Sequence, residues 1–296
     1  MGLACAAPAC DAPPGQAPPA WASEPDGVLR VGVQTWDMPS RVDEAFAPIE
    51  QVFERALLQH GSGLSVDIVP FAVYGELVAA LAQGNVDVAR LEAGSYLTAQ
   101  QREPGIALLA VERSSRGTPR QGVIITSVQA SIDSLDQLRG KRFAFGDVDA
   151  AIGRYLPQAA LVAAGLRAPE LGAMAYLRRG DRIAAAVRLG EFDAGVVELE
   201  TFRRGNLDGS LRVLWSLTDA PRPWVARAGM APELVASMTA ALLAVHDTRS
   251  LRVLDASGFA RATLDTFDPV RAAMTATAAF EAGDLERSRA TVRPGR

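Results

Sequence analysis

The chain has 296 residues, 49% of them hydrophobic, with a formal net charge of −4, so there is apolar material for two domains with true cores. Its arginines are dispersed, which excludes nonspecific nucleic-acid binding because that requires clustered positive charge. No run of about 18 apolar residues is present to span a bilayer, and the single lysine, Lys141, reflects a bias toward arginine rather than chemistry.

Residues 1–26 are rich in Pro and Ala and lack periodicity, so they read as a leader outside the core. Ala20-Trp21-Ala22 before Ser23 fits the small-x-small pattern of signal-peptidase cleavage, although no positive segment or long apolar stretch precedes it. Cys5 and Cys10 both fall in the leader, without a lipobox, so thiol catalysis and disulfides are excluded from the body. His60 and His246 are the only histidines, and with no cysteine beside them neither a metal site nor a catalytic triad is expected. His60, ahead of Gly61-Ser62-Gly63, reads as a helix-end residue.

In chain order, Val28 to Val33 predicts a buried strand, Val42 to His60 a helix, and Leu64 to Val69 a second strand. Tyr74 to Gln83 follows as a helix stopped by Gly84, then a strand from Val86 to Leu91, a helix start near Gly94, and a strand from Ile106 to Val111. Such alternation builds a parallel or mixed sheet covered by helices. Ser114 to Gly122, with Gly117 and Pro119, suits an interdomain crossing. A second unit is predicted beyond it: a strand at Val123 to Ser127, a short helix at Ser131 to Leu138, and a strand at Arg142 to Phe145. It continues with a helix at Pro157 to Ala164 ended by Gly165, a strand at Ala173 to Leu177, a helix at Arg182 to Leu189 closed by Gly190, and a strand at Asp193 to Val197. Leu211 to Trp215 and Trp224 to Arg227 flank Asp219-Ala-Pro-Arg-Pro223, the return crossing. The remainder, from Pro232, reads as helical and poor in strands, and is expected to pack back on the first lobe. The division is thus 1–26 leader, 27–113 first lobe, 114–222 second lobe and 223–296 return, with a ligand cleft between two α/β lobes.

Several words of the sequence, in their order, carry a resemblance. They are Tyr74 ahead of a helix, Gly84-Asn-Val-Asp-Val-Ala-Arg-Leu91 running into Ser95-Tyr96, Leu138-Arg-Gly-Lys-Arg-Phe-Ala-Phe-Gly-Asp147, Gly153-Arg-Tyr-Leu-Pro157, Gly190-Glu-Phe-Asp-Ala-Gly195, and Gly258-Phe259 before Phe267-Asp-Pro-Val-Arg271. Over about residues 28–280 the chain resembles the phosphate, phosphite and phosphonate family of periplasmic solute-binding proteins that serve ABC transporters. The resemblance implies a type II periplasmic-binding-protein fold, with two sheets flanked by helices, a hinge and an interlobe cleft that closes on a small molecule. It further implies an exported monomer that partners a permease, is not integral to the membrane, and works without cofactor, metal or catalysis. A sensory protein signalling to a membrane receptor on the same fold is the alternative.

The resemblance also assigns a site. A helix start offers free backbone N–H groups and a positive dipole, and the family lines this one with a Ser/Thr run. Here Ala150, Ala151 and Ile152 stand in its place, ahead of Gly153, so the ligand is expected to differ from the family's. Asp149 reads as the N-cap, competing with any anion for the same donors. Arg154 is a replacement donor if it does not point outward. Tyr74 and Tyr96 match ligand contacts and otherwise pack at a lobe surface; Ser95 belongs to the same motif. Glu92 replaces part of a Gly-Pro pair, Gly180-Asp181 stands for a His-Asp pair, and Glu200 matches an acidic contact. Glu92 and Glu200 either meet a cationic ligand group or pair with Arg90 and Arg203. Asp87 and Asp193 read as structural.

Overall fold

The computed structural model describes residues 27–35, 39–59, 61–114 and 120–291. The leader with its cysteines, His60, and residues 115–119 of the first crossing lie outside the described residues.

The first lobe opens with β1 (Val28–Gln34), α1 (Pro39–Gln59), β2 (Ser65–Phe71), α2 (Tyr74–Ala82), β3 (Val88–Arg90), α3 (Ala93–Arg102) and β4 (Ala107–Ser114). Next come β5 (Gln121–Ser127), β6 (Arg142–Phe145), a π-helical turn (Ala151–Tyr155) running into α4 (Leu156–Ala163), and β7 (Ala173–Tyr176). The second lobe is completed by α5 (Gly180–Arg188), β8 (Ala194–Glu198), α6 (Leu199–Gly205) and β9 (Leu211–Asp219). The chain returns through β10 (Pro223–Ala226), α7 (Pro232–Leu243), α8 (Thr248–Leu254), β11 (Ala256–Ala260) and α9 (Asp268–Thr291).

Two sheets result, ordered β11-β4-β10-β3-β1-β2 and β7-β6-β8-β5-β9. The β1–β2, β1–β3, β6–β7 and β6–β8 pairs are parallel, which their helical crossovers require, whereas the strands entering and leaving the crossings pair antiparallel. β1 lies inside its sheet between β3 and β2, and Leu29, Val31 and Val33 are buried. Gly84 and Gly190 end α2 and α5 at φ +74° and +72°, the left-handed conformation that glycine adopts without steric cost. Trp224 on β10 is the largest fully buried side chain; it packs on Phe53 and Phe259 with ring centroids 5.8 and 6.2 Å away. Asp87 accepts from the Arg30 N–H at 2.9 Å, and Asp193 accepts from the Arg142 N–H at 2.7 Å, so each carboxylate ties a strand end to its neighbour.

Four features depart from the sequence reading. Ser131 to Leu138 contains a single 3-10 turn, Leu135–Leu138, and α6 was not anticipated. The return segment does hold a strand: β11 adds to the edge of the first sheet against β4, a pairing of residues more than 140 apart that local pattern does not announce. The last helix leaves the first lobe. α9 lies along α4 and touches α3, with Phe280 edge-on to Phe145 at 5.8 Å, while Phe267 just before it meets Tyr96 at 4.8 Å.

Candidate functional site

The lobes face each other across a cavity of about 890 Å³ at the carboxyl ends of β3, β6 and β8, floored by the two crossings. This is where α/β folds place ligands, because helix starts and loop side chains converge there. Arginines outnumber carboxylates along its wall.

Charge at the hinge is organised by three arginines and three glutamates. Glu92, which directly follows β3, is 3% exposed and accepts from Arg222 Nε at 2.9 Å, with Arg120 3.5 Å away and the Tyr74 hydroxyl donating at 3.4 Å. Burial opposes ionisation of Glu92, but Arg222 and Arg120 outweigh it and hold the carboxyl well below its ordinary 4.5. Glu112 on β4 receives Arg90 through both oxygens, at 2.5 and 2.9 Å, and the Trp224 indole N–H at 2.8 Å. Arg120 also pairs with Glu198 at the end of β8, linking hinge to second lobe. Such a network costs desolvation, and what it secures is geometry: each side chain is held by partners on other strands.

At the opposite wall, β6 ends in Gly146-Asp147 and the chain turns into the helix start. Gly146 and Gly153 touch backbone to backbone: a Cβ on Gly146 would lie 2.6 Å from Gly153 Cα, and one on Gly153 would lie 2.6 Å from Asp147 N. The N–H groups of Ala151, Ile152 and Gly153 have no backbone acceptor among the described residues. Ile152 reaches across the floor, its Cγ2 2.6 Å from where a Cβ on Gly122 would stand, so the helix start presents hydrocarbon there.

Of the residues singled out from the sequence, Tyr74, Glu92, Ala150, Ile152, Gly153, Asp181 and Glu200 line the cavity; Ser95, Tyr96, Asp149 and Ala151 do not. Ala150, with extended φ −94° and ψ 138°, takes the N-cap position expected of Asp149, and no side chain caps the turn. The Asp149 carboxylate lies 3.3 Å from the Cβ position of Gly75, at the first turn of α2 in the other lobe, a favourable place for a negative charge. Ser95 donates to the Asp149 carbonyl at 3.0 Å, and the missing side chain of Gly94 admits the Tyr155 ring, so these groups join the lobes. Glu92 pairs with Arg222 and Arg120 rather than Arg90, whereas Glu200 does meet Arg203, at 2.6 Å. Asp181 pairs with Arg179 at 2.6 Å on the exposed rim. Arg154 points outward, to Glu281 on α9 and the Val148 carbonyl. Arg120, Arg222, Glu112, Glu198 and Asp147 were not expected at the site, although charged residues beside Pro119 and between Pro221 and Pro223 were a readable signal.

Tyr96 is 1% exposed in the core between lobes. Tyr96→Phe is therefore expected to leave ligand affinity within about twofold, since a contact removed outside the cavity changes binding little; titration calorimetry against the unmodified protein checks it.

Two sheets flanked by helices and facing each other across a charged cavity form the architecture of type II periplasmic binding proteins. The chain belongs to the family described as ABC transporter, phosphonate, periplasmic substrate-binding protein, whose model matches residues 31–267. Members bind a small ligand and work with a permease; they are not enzymes, and membership implies export. No helix among the described residues is long and apolar enough to cross a membrane. Among solved structures, the chain is similar to PhnD1 from Prochlorococcus marinus in complex with methylphosphonate, with TM-score 0.71, 19% identity, and 83% of this chain and 97% of that one covered. It is similar also to XAC2383 from Xanthomonas citri bound to ATP, with TM-score 0.72, 18% identity and coverages of 90% and 100%. A binding protein component of a phosphonate transporter from Pseudomonas aeruginosa matches with TM-score 0.69 and 17% identity, over 83% and 85%. These likenesses show the fold, and the family match does not favour the sensory alternative.

Proposed function

We propose that this substrate-binding protein takes a small polar ligand other than a simple phosphonate. The observation that carries the reading is the helix start: Ala150 and Ile152 line the cavity with no hydroxyl to give, while the strong donors have moved to the hinge arginines. Each charge-assisted hydrogen bond missing from a phosphonate head group removes about 1.5–3 kcal/mol, so the two hydroxyl donors absent at Ala150 and Ile152 weaken a bound dianion by about two to four decades. The relatives that hold methylphosphonate and ATP share too little sequence to pass on their ligands, so the cavity's own residues decide. Tyr74, Glu92, Ala150, Ile152, Gly153, Asp181 and Glu200 contribute its wall; Ser95, Tyr96, Asp149 and Ala151 support closure. The protein acts as an exported monomer that presents its closed form to the permease, ligand binding shifting the population toward closure.

A thermal-shift panel of phosphonates, phosphite, phosphate, amino acids and amines tests this. The true ligand at about 100 times its dissociation constant stabilises by about 2.7 kcal/mol, and methylphosphonate at millimolar concentration is expected to give no shift. Tight methylphosphonate binding would refute the altered preference.

A further inference from the structure

Asp149 has the residue type and the position of an N-cap, yet it does not cap its own helix: Ala150 takes that place and no side chain caps the turn. Its backbone is fixed from several sides. The Asp149 N–H donates to Asp147 Oδ1 at 2.9 Å, the Val148 carbonyl before it accepts from Arg154 at 3.0 Å, and its own carbonyl accepts from the Ser95 hydroxyl at 3.0 Å. Held in this way, the residue turns its carboxylate out of the second lobe, and Oδ2 lies 3.3 Å from the Cβ position of Gly75. Gly75 belongs to the first turn of α2 in the first lobe, a helix of 9 residues whose N-cap, Val73, supplies no side-chain hydrogen bond. A carboxylate at such a helix start meets free N–H groups and the positive end of the dipole. Beside this contact the Tyr155 ring, 8% exposed, fills the space where Gly94 lacks a side chain, 2.6 Å from that Cβ position. None of Asp149, Ser95, Gly75, Gly94 and Tyr155 lines the cavity, so this seam joins one lobe to the other without touching a bound molecule.

We propose that Asp149 is a latch residue of the clamp: carried by the second lobe, its carboxylate caps α2 of the first, and with Ser95 and the Gly94–Tyr155 contact it biases the lobes toward closure whatever the cavity holds. This rests on the solute-binding reading above and adds a positioning residue to it. Contacts made only in the closed form raise the population of that form, and a ligand that binds the closed form gains apparent affinity in the same proportion. The latch therefore sets how tightly a solute is held, while the cavity wall sets which solute. Glu76 separates a latch from ordinary helix capping. It is an exposed carboxylate in the same first turn, but it belongs to α2 itself and contributes equally in the open and closed forms.

The test is a distance measurement between two spin labels in the full chain without added ligand, so its outcome does not depend on which solute the cavity takes. Labels at Arg182→Cys on α5 and Arg252→Cys on α8, both exposed and one on each lobe, report the width of the mouth, with Cys5→Ser and Cys10→Ser leaving no other thiol. The unmodified protein is expected to populate a short separation. Asp149→Asn, which keeps the shape and removes the charge, should raise the ratio of long to short separations about fivefold, the size of a charge–dipole contact at a helix start. Gly94→Ala should raise it further, because the new Cβ meets the Tyr155 ring at 2.6 Å and the Asp149 carbonyl at 3.1 Å. Glu76→Gln should leave the ratio within about twofold. Unchanged distances in a folded Asp149→Asn or Gly94→Ala protein overturn the latch, as does a Glu76→Gln shift equal to that of Asp149→Asn, or an unmodified protein with no short separation. None of these outcomes bears on solute binding itself, which the thermal panel decides separately.

Discussion

Arg222→Ala is expected to lower the unfolding free energy by about 3–5 kcal/mol, the cost of breaking a buried ion pair from one side. Glu92 and Arg222 expose only 4% and 14% of their side chains, and with Arg222 gone Glu92 keeps only Arg120, at 3.5 Å, and the Tyr74 hydroxyl. Urea denaturation at pH 7 measures the loss, and a double-mutant cycle with Glu92→Gln isolates the coupling. A loss below about 1 kcal/mol would show that Arg120 alone compensates the charge. The pH dependence has a fixed sign. Because Glu92 titrates below its ordinary 4.5 in the folded protein, the stability its pairing contributes is complete above that value and is lost as pH falls through the lowered one. Arg222→Ala shifts the folded value upward, so this acid limb of the stability profile should begin at higher pH than in the unmodified protein.

Gly153→Ala is expected to cost about 3 kcal/mol, although alanine is the better helix former. An added Cβ meets Asp147 N at 2.6 Å, Asp147 O at 2.9 Å and Gly146 Cα at 3.1 Å, all backbone atoms that no rotamer change can clear. The joint between β6 and the helix start would have to open, moving the cavity wall that holds Asp147. Ligand affinity should therefore fall together with melting temperature. Gly63→Ala is the control: no atom lies within 4 Å of its Cβ position, and its effect should stay within about 1 kcal/mol. A Gly153→Ala protein with unchanged melting temperature would mean that the joint is looser than its contacts indicate.

The alternation of strands and helices that builds two sheets was legible because it rests on local rules. Alternating strand and helix periods, glycines after helices, and proline-rich crossings each act within a few residues. The partners of Glu92 were not legible. Arg90 is its near neighbour in sequence, but the Arg90 guanidinium is taken by both oxygens of Glu112 on β4, while Arg222 arrives from 130 residues away. Asp149 illustrates the same limit. Its residue type and position suit an N-cap, yet the preceding Asp147 takes its N–H, the turn carries it past the helix, and its carboxylate serves α2 of the other lobe.

The sequence by itself determined the two-lobed α/β architecture, the family, and the absence of side-chain hydroxyls at Ala150, Ala151 and Ile152, since each follows from residue type and short-range order. Only the tertiary structure decided which charged side chains gather at the cavity. Strand register brings Arg120, Arg222, Glu92 and Asp147 around one cavity, and burial, which depends on everything packed around them, makes the pairing of these charges strong.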